Sequence, residues 1–435
     1  MHFWDVNRFG GTMIKRFATL AIACFIIHAT PAFAQWEQAG ALNGGKITSL
    51  LLYDNTLFAG TDTGGVFVSA NNGGSWVPTD SGLSNLKIRT LAANGNALYA
   101  GTYGRGIFRS TDNGHLWTST NTGLTDTFVS AFASRGDTLY AGVHGGRVDT
   151  GSATGYDGKL FISADHGTSW NLVLHKQPYM FTTLFPTDSI LFAGTDGTGI
   201  LSSPDHGASW AEANNGLPYV FIWAFATINN NLLVSVFDPG CDDGGVFRSV
   251  NNGASWSFAN AGLIYGDVRA FATSRGAVFA GIHENGVWYS TNSGDSWTPF
   301  NTGYADTGAL ALAVSDSLIF AGSEAGRIWR RALSEITYAK PLCSPAPRPR
   351  PALAIRSCGR PVSRVILSYS LEQACFVRLE LFSLSGKRIS VFQNHEQGPG
   401  LYTMNISSKA LPKGAYTIRF LAGNYRQSNR LLLAE

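Results

Sequence analysis

The side chains that could do chemistry in this chain recur at a fixed offset. Asp62, Tyr103, His144, Asp196, Phe237, His283 and Glu324 each stand two residues after Gly60, Gly101, Gly142, Gly194, Ser235, Gly281 and Gly322. Two of the segments that follow are long. His144 to Lys159 holds Arg147, Asp149, Tyr156 and Asp157, and Phe237 to Asp243 holds Asp238 and Asp242. Hydrolysis of a glycosidic bond needs two carboxyl groups about 5–10 Å apart across that bond. Asp149, Asp157, Asp238 and Asp242 are therefore the catalytic candidates if the chain is a hydrolase. Acids beside aromatics also suit recognition without chemistry, because sugar rings stack on π-faces and their hydroxyls donate to carboxylates. Arg105, Arg147, Tyr179, Tyr219, Trp223 and Tyr265 extend that ligand-binding set. The two histidines lack metal-ligand spacing, and no phosphate loop, nucleophile elbow or zinc motif is present. Asp238, Asp242 and Asp243 could bind calcium through carboxylates and loop carbonyls, although an ordinary acidic loop is the simpler reading. No cofactor and no metal is expected.

The elements that must hold these residues are set by a repeat. The frame Ser-x-Asp/Asn-x-Gly-x-x-Trp starts at Ser69, Ser110, Ser163, Ser203, Ser249 and Ser290, at steps of 41, 53, 40, 46 and 41 residues. A period in the forties built from short strands is the signature of propeller blades. Asp or Asn accepts backbone N–H groups in a tight turn, Gly supplies a positive φ, and Trp fills space between blades. The acceptor is Asp at Asp112, Asp165 and Asp205 but Asn at Asn71, Asn251 and Asn292. A site that needed negative charge would not take Asn so freely. The frame, with Trp76, Trp117, Trp170, Trp210, Trp256 and Trp297, is structural.

Seven second-strand steps against six turns leave one unit without an outer strand, since it stops after Ile328-Trp329-Arg330. Trp36 to Gly40 looks like the outer strands that follow the turn, so the N-terminal strand is expected to close the seventh blade and leave no open ring end. The predicted architecture is all-β. A seven-bladed β-propeller over 35–336 is followed by a Pro-rich linker over 337–359 and a small Ig-like β-sandwich over 360–435. Residues 1–34, with Lys15-Arg16, an apolar run and Ala32-Phe33-Ala34, read as a secretory signal.

The repeat resembles the Asp-box (bacterial neuraminidase repeat) family. That resemblance implies a propeller found in sialidases, xyloglucanases, sortilin-type receptors and photosystem assembly factors. Sialidase chemistry would require three arginines and an Arg-Ile-Pro motif. No Arg-Ile-Pro occurs, and at the inner-strand place shared by Arg89 and Arg269 blade five carries Trp223. The xyloglucanases typically pair two propellers, where this chain has one. The last 75 or so residues are similar to the type A C-terminal sorting domain of the type IX secretion system, through Leu367-Ser368-Tyr369-Ser370-Leu371, Val377 to Phe382 running into Ser385-Gly386-Lys387-Arg388, Gly400-Leu401-Tyr402, and Leu411-Pro412-Lys413-Gly414-Ala415-Tyr416. The pattern departs at Ser383, where that family prefers Asp or Asn, and at Glu435, where it usually ends near Lys. The resemblance implies an outer-membrane secretion machinery as partner.

Composition agrees with an exported binder. Charged residues make up 14% of 435, and a net charge of +3 points to no nucleic acid. Cys241, Cys343, Cys358 and Cys375 are too few for a disulfide scaffold. The expectation is a monomer, secreted or attached to the cell surface, that recognises an extracellular glycan or surface protein without catalysis. A glycoside hydrolase is the alternative, and assembly support for surface machinery is the third reading.

Overall fold

The computed structural model describes residues 35–149, 154–217, 221–238, 243–263, 266–336, 353–358, 364–371, 374–398, 400–407 and 411–433. Residues 1–34 and 337–352 lie outside these ranges, and 353–358, expected to be linker, form a strand of the C-terminal β structure. Seven four-stranded antiparallel sheets follow one another along the chain. Blade two shows the unit: an inner strand Ile88–Asn94, a second strand Ala97–Thr102, a third strand Ile107–Ser110 and a two-residue outer strand Thr118–Ser119. Blade seven takes three strands from Ala311–Val314, Leu318–Gly322 and Arg327–Ala332. Its fourth is Glu37–Ala41 from the other end of the chain, paired as Glu37 with Arg330 and Gln38 with Trp329. The ring is a seven-bladed β-propeller closed by its N-terminal strand.

The second strands are the most deeply buried, and Ala97 to Thr102 has no exposed residue. Their glycines have a steric cause. A Cβ on Gly101 would lie 2.7 Å from Thr90 Cγ2 and 2.7 Å from Val129 Cγ1, the latter on the inner strand of the next blade. Gly60 and Gly194 meet Ile88 and Ile222 of their next blades in the same way. Blade five departs with Ser235, whose hydroxyl donates to Val268 O at 2.5 Å and so turns the close approach into a bond.

Each Ser-x-Asp/Asn-x-Gly-x-x-Trp turn is wired alike. Ser110 Oγ donates to Asp112 Oδ1 (2.6 Å) and accepts from Gly114 N (2.9 Å), while Asp112 Oδ1 accepts from Leu116 N (3.0 Å). Asn113 and Gly114 take φ of 57° and 86°. Asn71 Oδ1 accepts from Ser69 Oγ and Ser75 N at 2.9 and 2.8 Å. One acceptor oxygen carries these bonds, so the amide serves as well as the acid.

The tryptophans then stitch blade to blade. Trp117, Trp170, Trp256 and Trp297 donate Nε1–H to Thr79 O, Thr120 O, Ala213 O and Ala259 O of the preceding blade at 2.8–2.9 Å. Trp76 donates likewise to Ala39 O at 3.0 Å. Trp36 completes the series by donating to Phe300 O. Trp210 differs, bonding Gly207 O within its own turn.

The C-terminal residues form a second β structure. A three-stranded sheet (Leu353–Cys358, Arg364–Leu371, Gly400–Ser407) and a four-stranded sheet (Arg388–Gln397, Cys375–Ser383, Gly414–Ala422, Tyr425–Leu433) enclose one core. Val365, Leu367, Tyr369, Val377, Leu379, Ile418 and Phe420 alternate into it, as the period of two requires. Cys375 is a free thiol. Cys343 and Cys241 lie outside the described residues.

Candidate functional site

One irregularity recurs in the inner strands and builds the site. In blade one Ile47 pairs with Thr61 and Ser49 with Gly60, so Thr48 is an extra residue with no partner of its own. The same bulge falls at Arg89, Ser130, Thr182, Trp223 and Arg269. Leu310, directly before the Ala311–Gly322 pair, takes that place in blade seven. A bulge bends the strand and re-aims a side chain. All seven residues line a single open cavity of about 350 Å³, together with Lys46, His283 and Glu324.

Two of the hydroxyl members close gaps between blades. Thr48 Oγ1 donates to Ile88 O (2.7 Å) and Thr182 Oγ1 to Ile222 O, each across to the next blade, whereas Ser130 Oγ donates to Gly142 O (3.2 Å) within blade three. Arg269 is held on two sides. Its Nη2 donates to Asp267 Oδ2 at 2.7 Å, and its guanidinium lies 4.0 Å from the Trp223 ring centroid and 6.0 Å from that of Phe237, a cation–π arrangement. His283 sits between two carboxylates, with Nδ1 at 3.4 Å from Asp267 and Nε2 at 3.4 Å from Glu324. Glu324 is also paired with Lys46, which holds its carboxyl below the usual range.

Arg89 stands apart. It forms no ion pair or hydrogen bond among the described residues, and water reaches it through the open cavity. The side chain is solvent-exposed, and the desolvation imposed by the neighbouring cavity wall depresses its pKa. Attraction to the Tyr103 side opposes the shift, and the Arg269 charge adds to it. Within the cavity wall, Trp223 Nε1, Arg269 Nε and Asp267 Oδ1 are buried without a hydrogen-bond partner.

A second cavity of about 310 Å³ shares Arg89 and Ser130 with the first and is otherwise lined by Tyr103, Val129, His144, Tyr156 and Met180. His144 is buried there, with its ring 5.3 Å from that of Phe128 and 4.7 Å from that of Tyr156. Its Nδ1 is 2.9 Å from Gly145 O.

The offset ring read from the sequence divides accordingly. His283 and Glu324 line the first cavity, Tyr103 and His144 the second, and Phe237 packs on the arginine between walls. Asp196 lines neither; it accepts from Met180 N at 2.7 Å, and burial raises its pKa against that bond. Asp62 lines neither and keeps one buried oxygen unbonded. Arg105 and Arg147 are exposed and line neither. Asp157 is tied up in a brace, bonded to Lys159 (2.8 Å), His175 (2.5 Å) and Gln177, with Lys159 also reaching Asp126 at 2.6 Å. Those donors, Lys159 first, hold its carboxyl far below the ordinary range, opposite to what a proton donor requires. Tyr219, Tyr265 and Asp242 lie outside the described residues, as do the side chains of Asp149 and Asp238. Among the described residues no cluster suits a metal ion.

Sequence reasoning placed Arg89, Trp223 and Arg269 at equivalent positions but missed Thr48, Ser130, Thr182 and Leu310 as members of the same ring. It also missed Lys46 and Asp267. The available signal was the one extra residue between the last buried apolar residue (Ile47, Ile88, Val129, Phe181, Ile222, Val268) and the strand that follows it.

No protein-family model matches the chain, and no curated protein does. Solved structures do. YCF48 from Cyanidioschyzon merolae aligns at TM-score 0.54 and 13% identity, over 70% of this chain and 100% of its own. The GH74 xyloglucanase from Xanthomonas campestris aligns at 0.52 and 15%, over 77% of this chain and 59% of its own. PorZ, a surface component of the type-IX secretion system of Porphyromonas gingivalis, aligns at 0.50 and 13%, over 90% of this chain and 60% of its own. The fold is the shared property. This chain spans only about three fifths of the latter two proteins, and identities this low carry the architecture alone.

Proposed function

We propose that this is an exported propeller that recognises an extracellular ligand, a glycan or a surface protein, at the mouth of its channel and does not catalyse a reaction on it. The supporting observation is the ring itself: six bulged positions and Leu310, which takes the same place in blade seven, converge on one open polar cavity. The two carboxylates described near that cavity, Asp267 and Glu324, are each engaged in ion pairs. A rigid scaffold presenting a few convergent polar groups beside an aromatic is the form of a binding site.

The six wired turns support membership in the Asp-box group of propellers, and the C-terminal sandwich is read as a type IX sorting domain. The proposed route is signal-directed export followed by outer-membrane translocation. Propellers of this architecture include a xyloglucanase and a surface component of that secretion system.

The test is a glycan array on the mature chain, residues 35–435, with every binder assayed for hydrolysis. Binding without product, lost in Trp223→Ala, is the expected outcome. Product from any binder would replace recognition with hydrolysis, and silence on all glycans would move the reading to a protein partner.

A further inference from the structure

The charges at the channel mouth do not cancel. Among the described residues that line or touch the cavity, the fixed cations are Lys46, Arg89 and Arg269, and the carboxylates are Asp267 and Glu324. Lys46 is spent on Glu324 and Arg269 on Asp267. One positive charge, Arg89, is left over. Three blades lie between it and Arg269 on one side of the ring and two on the other, so the excess charge faces the bound-up arginine across the channel.

The remaining wall narrows the ligand further. Trp223 Nε1 and Arg269 Nε are buried donors without acceptors. Neither atom is open to the cavity, so the donors a ligand meets there are those of Arg89 and of the hydroxyl side chains. Thr48, Ser130 and Thr182 contribute hydroxyl oxygens, and Trp223, Tyr103 and Tyr156 contribute ring faces or edges to the two joined cavities. Only one of the seven ring members, Leu310, is aliphatic. An apolar peptide anchor finds little here, whereas a hydroxylated ring bearing an oxyanion finds donors for both features. A planar guanidinium matches an oxyanion through two parallel hydrogen bonds.

We infer that the ligand is an anionic saccharide whose carboxylate or sulfate ester is received by Arg89, while a neighbouring sugar ring meets the Trp223 side of the cavity. This rests on the recognition reading above and names the class of ligand for that site. Neutral glycans of the same length bind weakly or not at all.

The experiment is titration calorimetry on the mature chain with three probes of equal length: a galacturonic-acid trisaccharide, a sulfated galactose trisaccharide and a neutral galactose trisaccharide. One or both charged probes should bind, about 10- to 100-fold more tightly than the neutral one, the range of one charge-assisted contact. Whichever of the two binds identifies the anion. Arg89→Gln should remove that advantage, Arg89→Lys should restore part of it, and Arg135→Gln, on a distant surface hairpin, should leave it intact. Because the Arg89 side chain carries no bond among the described residues, loss of fold is not expected, and the comparison among probes on the unaltered protein needs no variant. A neutral probe that binds as well as the charged ones, or an Arg89→Gln protein with unchanged affinity, overturns this inference and leaves recognition standing. No binding of any of the three overturns it together with the glycan half of the recognition reading.

Discussion

Replacing Trp36 with alanine should open the ring. Trp36 is 2% exposed and packs edge-on against Phe300 and Tyr304, with ring centroids 6.0 and 5.4 Å away. Its indole N–H donates to Phe300 O, and its backbone N–H donates to Thr302 O at 2.9 Å. Truncating a buried Trp to Ala costs about 3–5 kcal/mol through lost burial and the cavity left behind. That is a large share of the roughly 5–15 kcal/mol that holds a domain folded. The loss also falls where the chain's two ends of the propeller meet, so it weakens closure and not a single blade. Trp210 is the internal control, being less buried and bonded only within its own turn. Its removal should cost about 1–2 kcal/mol. Urea unfolding of residues 35–435, followed by far-UV circular dichroism and fitted with a separate transition for the C-terminal sandwich if one appears, reads the difference. Trp36→Phe should fall between the two, keeping the ring contacts and losing one hydrogen bond worth about 1 kcal/mol. A Trp36→Ala protein no less stable than Trp210→Ala would refute the argument that the N-terminal strand locks the ring.

Two further tests address the scaffold. Gly101→Ala forces a methyl to 2.7 Å from both Thr90 and Val129, and over-packing of that kind costs about 1–3 kcal/mol; an unchanged urea midpoint would mean that blades two and three can part without penalty. Asp165 and Asp205 are held at pKa about 2 by Ser169 and Ser209 first, hydroxyl and backbone N–H together, and then by Ser163 and Ser203. A folded pKa below the unfolded value of 3.8 means a stabilising contribution that is fully present above about pH 4 and is lost as pH falls through 2. In Asp165→Asn the amide keeps the acceptor oxygen but not the charge, so the gap in urea midpoint between the unaltered protein and the variant should shrink from pH 5 to pH 2. A gap independent of pH would assign the turn no electrostatic part.

The fold was legible because its information is repeated. Six copies of one turn averaged out local ambiguity, and the missing seventh outer strand pointed to Trp36 by elimination. The structure adds why Trp36 fits, since it makes the same interblade N–H bond as five of the six turn tryptophans. The site was only partly legible. Residues two places after the second-strand glycine could be aligned by eye, and four of the seven reach a cavity. The bulge ring was harder to see because a bulge leaves the alternation of buried and exposed residues intact on either side and shows only as one residue too many. Charge pairing was legible only in part. Asp267 and Arg269 are two residues apart, but the pairing of Lys46 with Glu324 joins blades one and seven, far apart along the chain.

The bulge also explains how one repeat can be both uniform and specific. Immediately before each bulge stands a buried apolar residue, Ile47, Ile88, Val129, Phe181, Ile222 or Val268, each no more than 1% exposed. Immediately after it the ladder resumes opposite the second-strand glycine or Ser235. Those flanking positions are committed to packing and pairing, so change there is paid in stability. The bulged residue stands outside the ladder and the core, bonded to the scaffold at Thr48, Ser130 and Thr182 through hydroxyl-to-carbonyl contact alone, so the seven blades carry Thr, Arg, Ser, Thr, Trp, Arg and Leu at one geometric position on one scaffold. Seven independent choices around one channel mouth then set its charge and shape. Thr182→Arg gives up one interblade hydrogen bond, worth about 1 kcal/mol, so it should change which ligand is held more than whether the propeller folds, and a much larger loss of stability would show that the bulge is scaffold after all.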